Sequence, residues 1–301
     1  MKRAIVTGGA GFIGSHITDA LLESGIEVVV IDNESSDCHE AFYWNDKAEN
    51  HKLNICDYDD ISPLFEGVDT VFHLAAEARI QPAIKNPLLA VRVNVLGTCN
   101  VLQAAHTRGV RRFIYSSTSS AYGRENLPPQ SEDMVKDCLN PYSVSKTCGE
   151  ELCKMYYSLY GLETVSFRYF NVYGERQPTK GQYAPVVGLF AKQKEQGLPC
   201  TIVGDGLQRR DYTYVIDVVK ANILAATTDN DSVLGELFNI GTGKNYNIFD
   251  LVGMIDNQHI FIPPRPAESR ETLADITKVT SLLGWQPETT LEEWIKKSRN
   301  I

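Results

Sequence analysis

Tyr142 and Lys146 stand four residues apart directly after Asn140-Pro141, a spacing that puts both on one face of a helix. A free tyrosine ionises near pH ~10 and is a poor base at neutrality. An ammonium one turn away stabilises the phenolate and brings it into working range. Alone, Tyr-x-x-x-Lys is most often a surface pair. Its company here is the hydroxyl-rich run Tyr115-Ser116-Ser117-Thr118-Ser119-Ser120-Ala121-Tyr122-Gly123, which directly follows an apolar strand. That is the end of a strand where a parallel sheet presents ligands. A plain polar loop would account for most of those hydroxyls, but not for their pairing with a downstream Tyr-x-x-x-Lys.

A second group of residues can hold a dinucleotide. Thr7-Gly8-Gly9-Ala10-Gly11-Phe12-Ile13-Gly14 reads as G-x-G-x-x-G from Gly9 or as G-x-x-G-x-x-G from Gly8. It follows an apolar strand, opens a helix and precedes a second strand that ends in Asp32, which is the context such a motif requires. Glycines let the backbone turn tightly against a pyrophosphate, and the helix N-terminus offers free N–H groups. Asp32 lies 18 residues after Gly14. A carboxylate there accepts hydrogen bonds from adenosine ribose and repels a 2′-phosphate, which favours NAD over NADP. Asp57, after a third candidate strand, fits either an adenine contact or a helix N-cap.

Stepping from these residues to their carriers, apolar strands alternate with amphipathic helices, the pattern of a doubly wound parallel sheet. Strands are expected at 3–7, 27–31, 52–55, 70–74, 112–116, 164–168 and 237–240. Helices are expected at 13–24 with Gly25 at its C-terminus, and at 88–108 and 142–160. Beyond Asn171 the rhythm breaks into loops and short strands. The expected division is an NAD-binding Rossmann domain over 1–172 and 213–243, and a smaller substrate domain over 173–212 and 244–301.

The chain of 301 residues is 43% hydrophobic and 22% charged, ordinary for a globular protein. No uninterrupted apolar run reaches bilayer length, and the N-terminus enters a strand without a signal-like segment, so a cytoplasmic protein with no membrane partner is expected. Seven scattered cysteines without a C-x-x-C pair read as reduced thiols, and six histidines without metal-ligand spacing predict no metal. A net charge of −9 disfavours nucleic acid, so an anionic substrate needs locally placed arginines.

Taken together, the sequence resembles the extended short-chain dehydrogenase/reductase family, and within it the UDP-sugar 4-epimerases. The resemblance runs essentially end to end. Besides the features above it includes His73-Leu74-Ala75-Ala76, Asn94, Arg168-Tyr169-Phe170-Asn171, Gly204-Asp205-Gly206, Arg210-Asp211-Tyr212 and Arg265-Pro266-Ala267-Glu268. It implies Tyr142 as base, Lys146 as its electrostatic partner and Thr118 as the hydroxyl that bridges to the sugar O4. It implies a cofactor site of Gly8, Gly11, Phe12, Ile13, Gly14, Asp32, Asn33, Asp57, Leu74, Ala75, Ala76, Asn94, Ser116, Tyr142, Lys146 and Phe170. The nucleotide sugar would be held by Thr118, Asn171, Val186, Val203, Arg210, Arg265, Glu268 and Thr272. A homodimer through the two long helices is also implied.

Related dehydratases carry an acidic pair after the Thr, and related decarboxylases a Glu two residues after it. Here those positions are Ser119 and Ser120, which cannot act as carboxylates. The expected reaction is C4 epimerisation of UDP-glucose and UDP-galactose, in which hydride passes from C4 to tightly held NAD and returns to the other face. A dehydratase, decarboxylase or reductase of the same family is the alternative, and a non-catalytic NAD-sensing protein is another. Thr272, where plain-hexose enzymes resemble one another in having Tyr, suggests that N-acetylhexosamines are accepted too. Ala267 stands where the family has Gly, so its turn must either avoid positive φ or tolerate strain. The stretch 251–264 is short, and the end at 294–301 is abrupt.

Overall fold

The computed structural model describes residues 1–181, 184–255 and 258–298. Seven strands form one sheet: β1 (Arg3–Thr7), β2 (Glu27–Asp32), β3 (Glu49–Lys52), β4 (Thr70–His73), β5 (Arg112–Thr118), β6 (Glu163–Tyr169) and β7 (Leu237–Ile240). Their order is β7-β6-β5-β4-β1-β2-β3, and every pairing is parallel. The order reverses between β1 and β4, which opens a crevice at the strands' C-terminal ends, where ligands bind in such sheets.

Alternation along the strands builds two cores. Ala4, Val6, Val28 and Val30 face one side, with Ile17 and Leu21 of α1 (Phe12–Glu23) and Val218 of α4 (Val215–Thr227). Ile5, Val29, Ile31 and Val71 face the other, with Val101 and Leu102 of α2 (Pro87–Thr107) and Cys153 of α3 (Pro141–Tyr160). Strands buried on both faces read as continuous apolar runs, which is why most of them were legible.

One strand lies elsewhere than expected. The strand expected at 52–55 is Glu49–Lys52, three residues earlier, and its exposed polar residues pair with β2 as the sheet's edge. An edge strand needs no apolar alternation; the apolar Leu53 and Ile55 turn instead into the crevice. The first helix ends at Ser24 as C-cap, with Gly25 next at φ 76°. β5 runs two residues further than expected, to Thr118.

Helix α2 corrects another reading. It has no uninterrupted apolar run of bilayer length, yet its 21 residues are long and apolar enough, by length and composition, to cross a membrane. In the fold its Ala90, Asn94, Val101, Leu102, Ala104 and Ala105 are buried against the sheet and neighbouring helices. Its middle, Arg92–Gly97, is π-helical.

A third core lies beyond the sheet, where Phe190 of the helix Val186–Glu195 meets Ile202, Tyr246, Leu251 and Trp294. The strands Cys200–Val203 and His259–Ile262 pair in parallel beside it, and Arg209–Asp211 pairs antiparallel with Asn245–Asn247. The segment Thr277–Leu283, expected in the second domain, packs Val279 and Leu283, together with Trp285, into the first core.

Candidate active site

A cleft of about 500 Å³ runs along the C-terminal ends of the strands, a size typical of small-molecule sites. At one end lies the glycine turn. Gly8 adopts φ +70°, and a Cβ there would sit 2.7 Å from the Ala75 backbone nitrogen. A Cβ on Gly14 would sit 2.2 Å from the Gly8 carbonyl oxygen, so the helix packs onto the turn only with glycine there. The first turn of α1 has amides with no intrahelical acceptor, as every helix start does. Asp32 closes β2 and accepts hydrogen bonds from the amides of Ala10 (3.2 Å) and Glu34 (2.8 Å). Burial raises its pKa, while those two amides pull it back.

The other end brings together Thr118, Tyr142 and Lys146. Asn140 caps α3 through a capping box and Pro141 occupies its first turn, so Tyr142 is fixed at the helix start. Thr118 ends β5, and its hydroxyl accepts from the Ser120 amide at 3.1 Å. Burial raises the Tyr142 pKa, and the Thr118 hydroxyl beside it opposes the shift. Lys146 is 2% exposed, with Nζ 4.4 Å from the centre of the Tyr115 ring. The Tyr115 hydroxyl donates to the Lys146 carbonyl at 3.0 Å. A Cβ on Gly149 would lie 2.1 Å from that same hydroxyl, so glycine is required for the ring to pass under the helix. Burial pulls Lys146 down to about 7, opposed by Cys153 and Glu150. His73 sits between Thr7 (2.7 Å) and Thr98 (2.9 Å), and burial holds it neutral.

Of the residues expected at the site, Gly8, Gly11, Phe12, Ile13, Gly14, Asp32, Asn33, Leu74, Ala75, Ala76, Ser116, Thr118, Tyr142, Lys146, Asn171, Val186, Arg265 and Glu268 line this one cleft. Six stand outside its lining. Asp57 occupies the N-cap position of Tyr58–Ile61, without a side-chain capping bond; the neighbouring Leu53, Asn54 and Ile55 line the cleft instead. Asn94 lies behind the wall, where its amide bonds both backbone groups of Glu77 and the hydroxyl of Ser145. Phe170 packs on Tyr122 with ring centres 6.0 Å apart. Val203 ends its strand, its carbonyl accepting from Gln208. Arg210 spends its guanidinium on the carbonyls of Arg209, Ser269 and Arg270. Thr272 is buried behind Asn171, whose Nδ2 lies 3.4 Å from the Thr272 hydroxyl.

Ala267 takes the second of its two options, with φ 58° in the left-handed region. Its loop is held from the sheet side: Gln81 donates to the Pro266 carbonyl, Asn140 to that of Ala267 and Arg124 to that of Glu268.

Sequence reasoning missed the segment after β2. Ser35, Ser36, Cys38, His39 and Phe42 line the cleft beside the glycine turn, held there by the Tyr43 amide donating to Ala10 and the Lys180 amide donating to Cys38. Being polar and aperiodic, it carries no signal. Glu77 and Arg79 were missed too. Among the described residues no cluster of side chains stands ready to hold a metal.

Residues 4–241 match the model of the NAD dependent epimerase/dehydratase family. The chain belongs to this family. NAD is its cofactor, and the Gly8–Gly14 cradle, Asp32 and the buried Lys146 fit such a group, whose diphosphate needs close backbone approach. The chain is similar to a putative UDP-glucose 4-epimerase of Methanocaldococcus jannaschii, at 39% identity over 98% of this chain and 97% of that one. It is similar to a UDP-glucuronate 4-epimerase of Thermodesulfobacterium geofontis, at 34% identity over 98% and 94%. The crystal structure of a UDP-glucose 4-epimerase from Thermotoga maritima, with UDP-glucose, superposes with a TM-score of 0.90 at 36% identity, covering 98% of this chain and 96% of that one.

Proposed function

We propose that the protein interconverts UDP-glucose and UDP-galactose, and their N-acetylated counterparts, by inverting C4. The observation that carries this reading is the convergence of Thr118, Tyr142 and Lys146 on the cleft that holds the glycine turn, with Ser119 and Ser120 as the next lining residues. Tyr142 takes the O4 proton through the Thr118 hydroxyl, and the Lys146 ammonium stabilises the phenolate. Bound NAD supplies a hydride acceptor that gives the hydride back. With no carboxylate beside Thr118, these residues offer no acid or base for elimination at C5 and C6. The 4-keto sugar then turns about its diphosphate and presents its other face to Tyr142, which returns the proton. Arg265 and Asn171 hold the diphosphate during that turn, with Val186 and Glu268 beside the nucleotide. Thr272 leaves room for an acetamido group by acting through Asn171.

The test is a proton NMR time course of purified protein with UDP-glucose, UDP-N-acetylglucosamine and UDP-glucuronate in separate tubes, without added reductant. The expected result is the C4 epimer from the first two and no net cofactor reduction. Carbon dioxide released from UDP-glucuronate, or no interconversion of any sugar, overturns the reading.

The dimer proposed from the family resemblance has a candidate face on α2 and α3. Leu88 is 83% exposed and Leu159 66%, with Leu96 and Val144 also exposed. Exposed apolar side chains along two adjacent helices suit an interaction surface, and we propose a second copy as its occupant. Light scattering behind gel filtration checks this, with Leu88→Lys expected to shift the mass to one chain.

A further inference from the structure

One buried charge pair, Glu150 and Arg168, lies behind the wall of the cleft and reaches it through the lining residue Ser117. Glu150 follows Lys146 by four residues and Tyr142 by eight, so the three share one face of α3. Its Oε1 accepts hydrogen bonds from the Ser117 hydroxyl at 2.6 Å and from Arg168 Nε at 2.9 Å. Its Oε2 accepts from Arg168 Nη2 at 2.8 Å and faces Lys136 Nζ at 3.1 Å. Glu150, Ser117 and Arg168 are all buried. The Arg168 guanidinium lies 4.6 Å from the centre of the Tyr122 ring, and its Nη1 has no hydrogen-bond partner.

Such a cluster is a poor way to gain stability. Desolvating both charges cancels most of their attraction, and well-packed apolar residues would serve as well or better. The placement suggests another use. Ser117 is the residue before Thr118, Arg168 is on the adjacent strand β6, and Glu150 is on the helix that carries Tyr142 and Lys146. One carboxylate thus ties the end of β5 to α3 at the point where the Thr118 and Tyr142 hydroxyls must meet.

We propose that Glu150 is a positioning residue, which locks β5 to α3 through Ser117 and Arg168 and so sets Thr118 against Tyr142 beside Lys146. The proposal rests on the epimerase reading of those three side chains. Glu150 has a second effect through charge. Lys146 lines the cleft together with Tyr142 and is faced by Glu150 and Cys153 on its own helix, by Tyr115 of β5 and by His73 of β4. Glu150 favours the ammonium against the burial that disfavours it. Removing that negative charge lowers the Lys146 pKa, so the ammonium is lost at lower pH.

The experiment compares wild type, Glu150→Gln, Glu150→Asp and Ser117→Ala as full-length holoenzymes, reading kcat, KM, bound NAD and the pH profile of kcat. Glu150→Gln is expected to lower kcat about 10- to 100-fold, the scale of a misplaced reacting group, with KM and NAD content unchanged. Its alkaline limb should move to lower pH. Ser117→Ala keeps the charge, so kcat falls and the limb stays in place; Glu150→Asp, shorter but charged, should also keep the limb. Where Glu150→Gln fails to fold because Arg168 is left unpaired, the double variant E150Q/R168M removes both charges and takes its place. A Tyr142 phenol titration by NMR of ring-labelled tyrosine runs in parallel without substrate, and should move upward as loss of Glu150 draws the Thr118 hydroxyl, which favours the phenolate, away from Tyr142. Wild-type kcat and an unmoved Tyr142 titration in the charge-removed variant overturn the proposal. So does a fall in kcat matched by equal loss of NAD and rise in KM, which marks general damage. Absence of turnover in wild type sinks the epimerase reading instead, and the phenol titration then decides the role of Glu150 alone.

Discussion

The two ends of the cleft are built in opposite ways. At the chemical end, Thr118, Tyr142 and Lys146 sit on two regular elements, a strand terminus and the first two turns of a capped helix. Buried side-chain bonds hold those elements together through Glu150, Ser117 and Arg168. At the holding end, Arg265, Glu268 and Thr272 belong to a loop fixed by side chains that grip its backbone carbonyls, from Gln81, Arg124, Asn140 and Arg210. The first design fixes atoms relative to one another within a helical turn. The second fixes only the path of a chain and leaves its side chains free to differ. The asymmetry has a physical reason, because chemistry demands sub-ångström placement whereas specificity for one sugar or another demands variation.

The sharpest way to break the comparison is at the chemical end. Tyr142→Phe keeps the ring and removes the proton acceptor, and interconversion is expected to fall about 10²- to 10⁴-fold, the range for a general acid–base group. KM should barely move, since the anchors are elsewhere. Turnover within a few-fold of wild type would show that the two ends do not divide chemistry from binding. At the other end, Arg265→Ala is expected to raise KM about 10- to 100-fold, the size of one charge-assisted hydrogen bond or two. Its kcat should fall by much less, and isothermal titration with UDP checks the same loss without catalysis.

The asymmetry also decides what the sequence made legible. Tyr142 and Lys146 are found by spacing because the helical period turns sequence distance into space, whereas Thr118 is singled out of its hydroxyl-rich run only by the family resemblance. The glycine turn is found because Gly8 and Gly14 each meet backbone where a Cβ would clash. The edge strand Glu49–Lys52 was misplaced by three residues because an edge needs no apolar pattern to pair with β2. The segment holding Cys38, His39 and Phe42 beside the glycine turn has neither period nor motif, and only tertiary contacts put it there. Glu150 was legible in principle, eight residues after Tyr142, but nothing in its spacing says that Arg168 and Ser117 converge on it. Arg210 shows the converse: its type suits a diphosphate, and the fold spends it on three backbone carbonyls.

Two smaller effects sharpen the holding end. Thr272→Tyr must displace or push Asn171, so turnover of UDP-N-acetylglucosamine is expected to drop about tenfold relative to UDP-glucose, the modest discrimination that pocket size alone supplies. Unchanged relative turnover would remove Thr272 from any account of sugar size.

The smallest effect is expected at Ala267. Its φ of 58° places a Cβ in the left-handed region, where an L-residue other than glycine, asparagine or aspartate costs about 1–2 kcal/mol. Glycine relieves that strain but loses about 0.5–1 kcal/mol to the greater freedom of the unfolded chain. Ala267→Gly should therefore stabilise the protein by at most about 1.5 kcal/mol, seen as a higher denaturant midpoint at an unchanged m-value. The same change frees the backbone between the Pro266 and Glu268 carbonyls, which Gln81 and Arg124 grip from the sheet side. If these bonds, with that of Asn140 to the Ala267 carbonyl, hold the loop, KM stays at the wild-type value while stability rises. A raised KM in a more stable protein would mean that the strained alanine itself stiffens the loop that presents Arg265 and Glu268, so that at this end stability and binding pull in opposite directions.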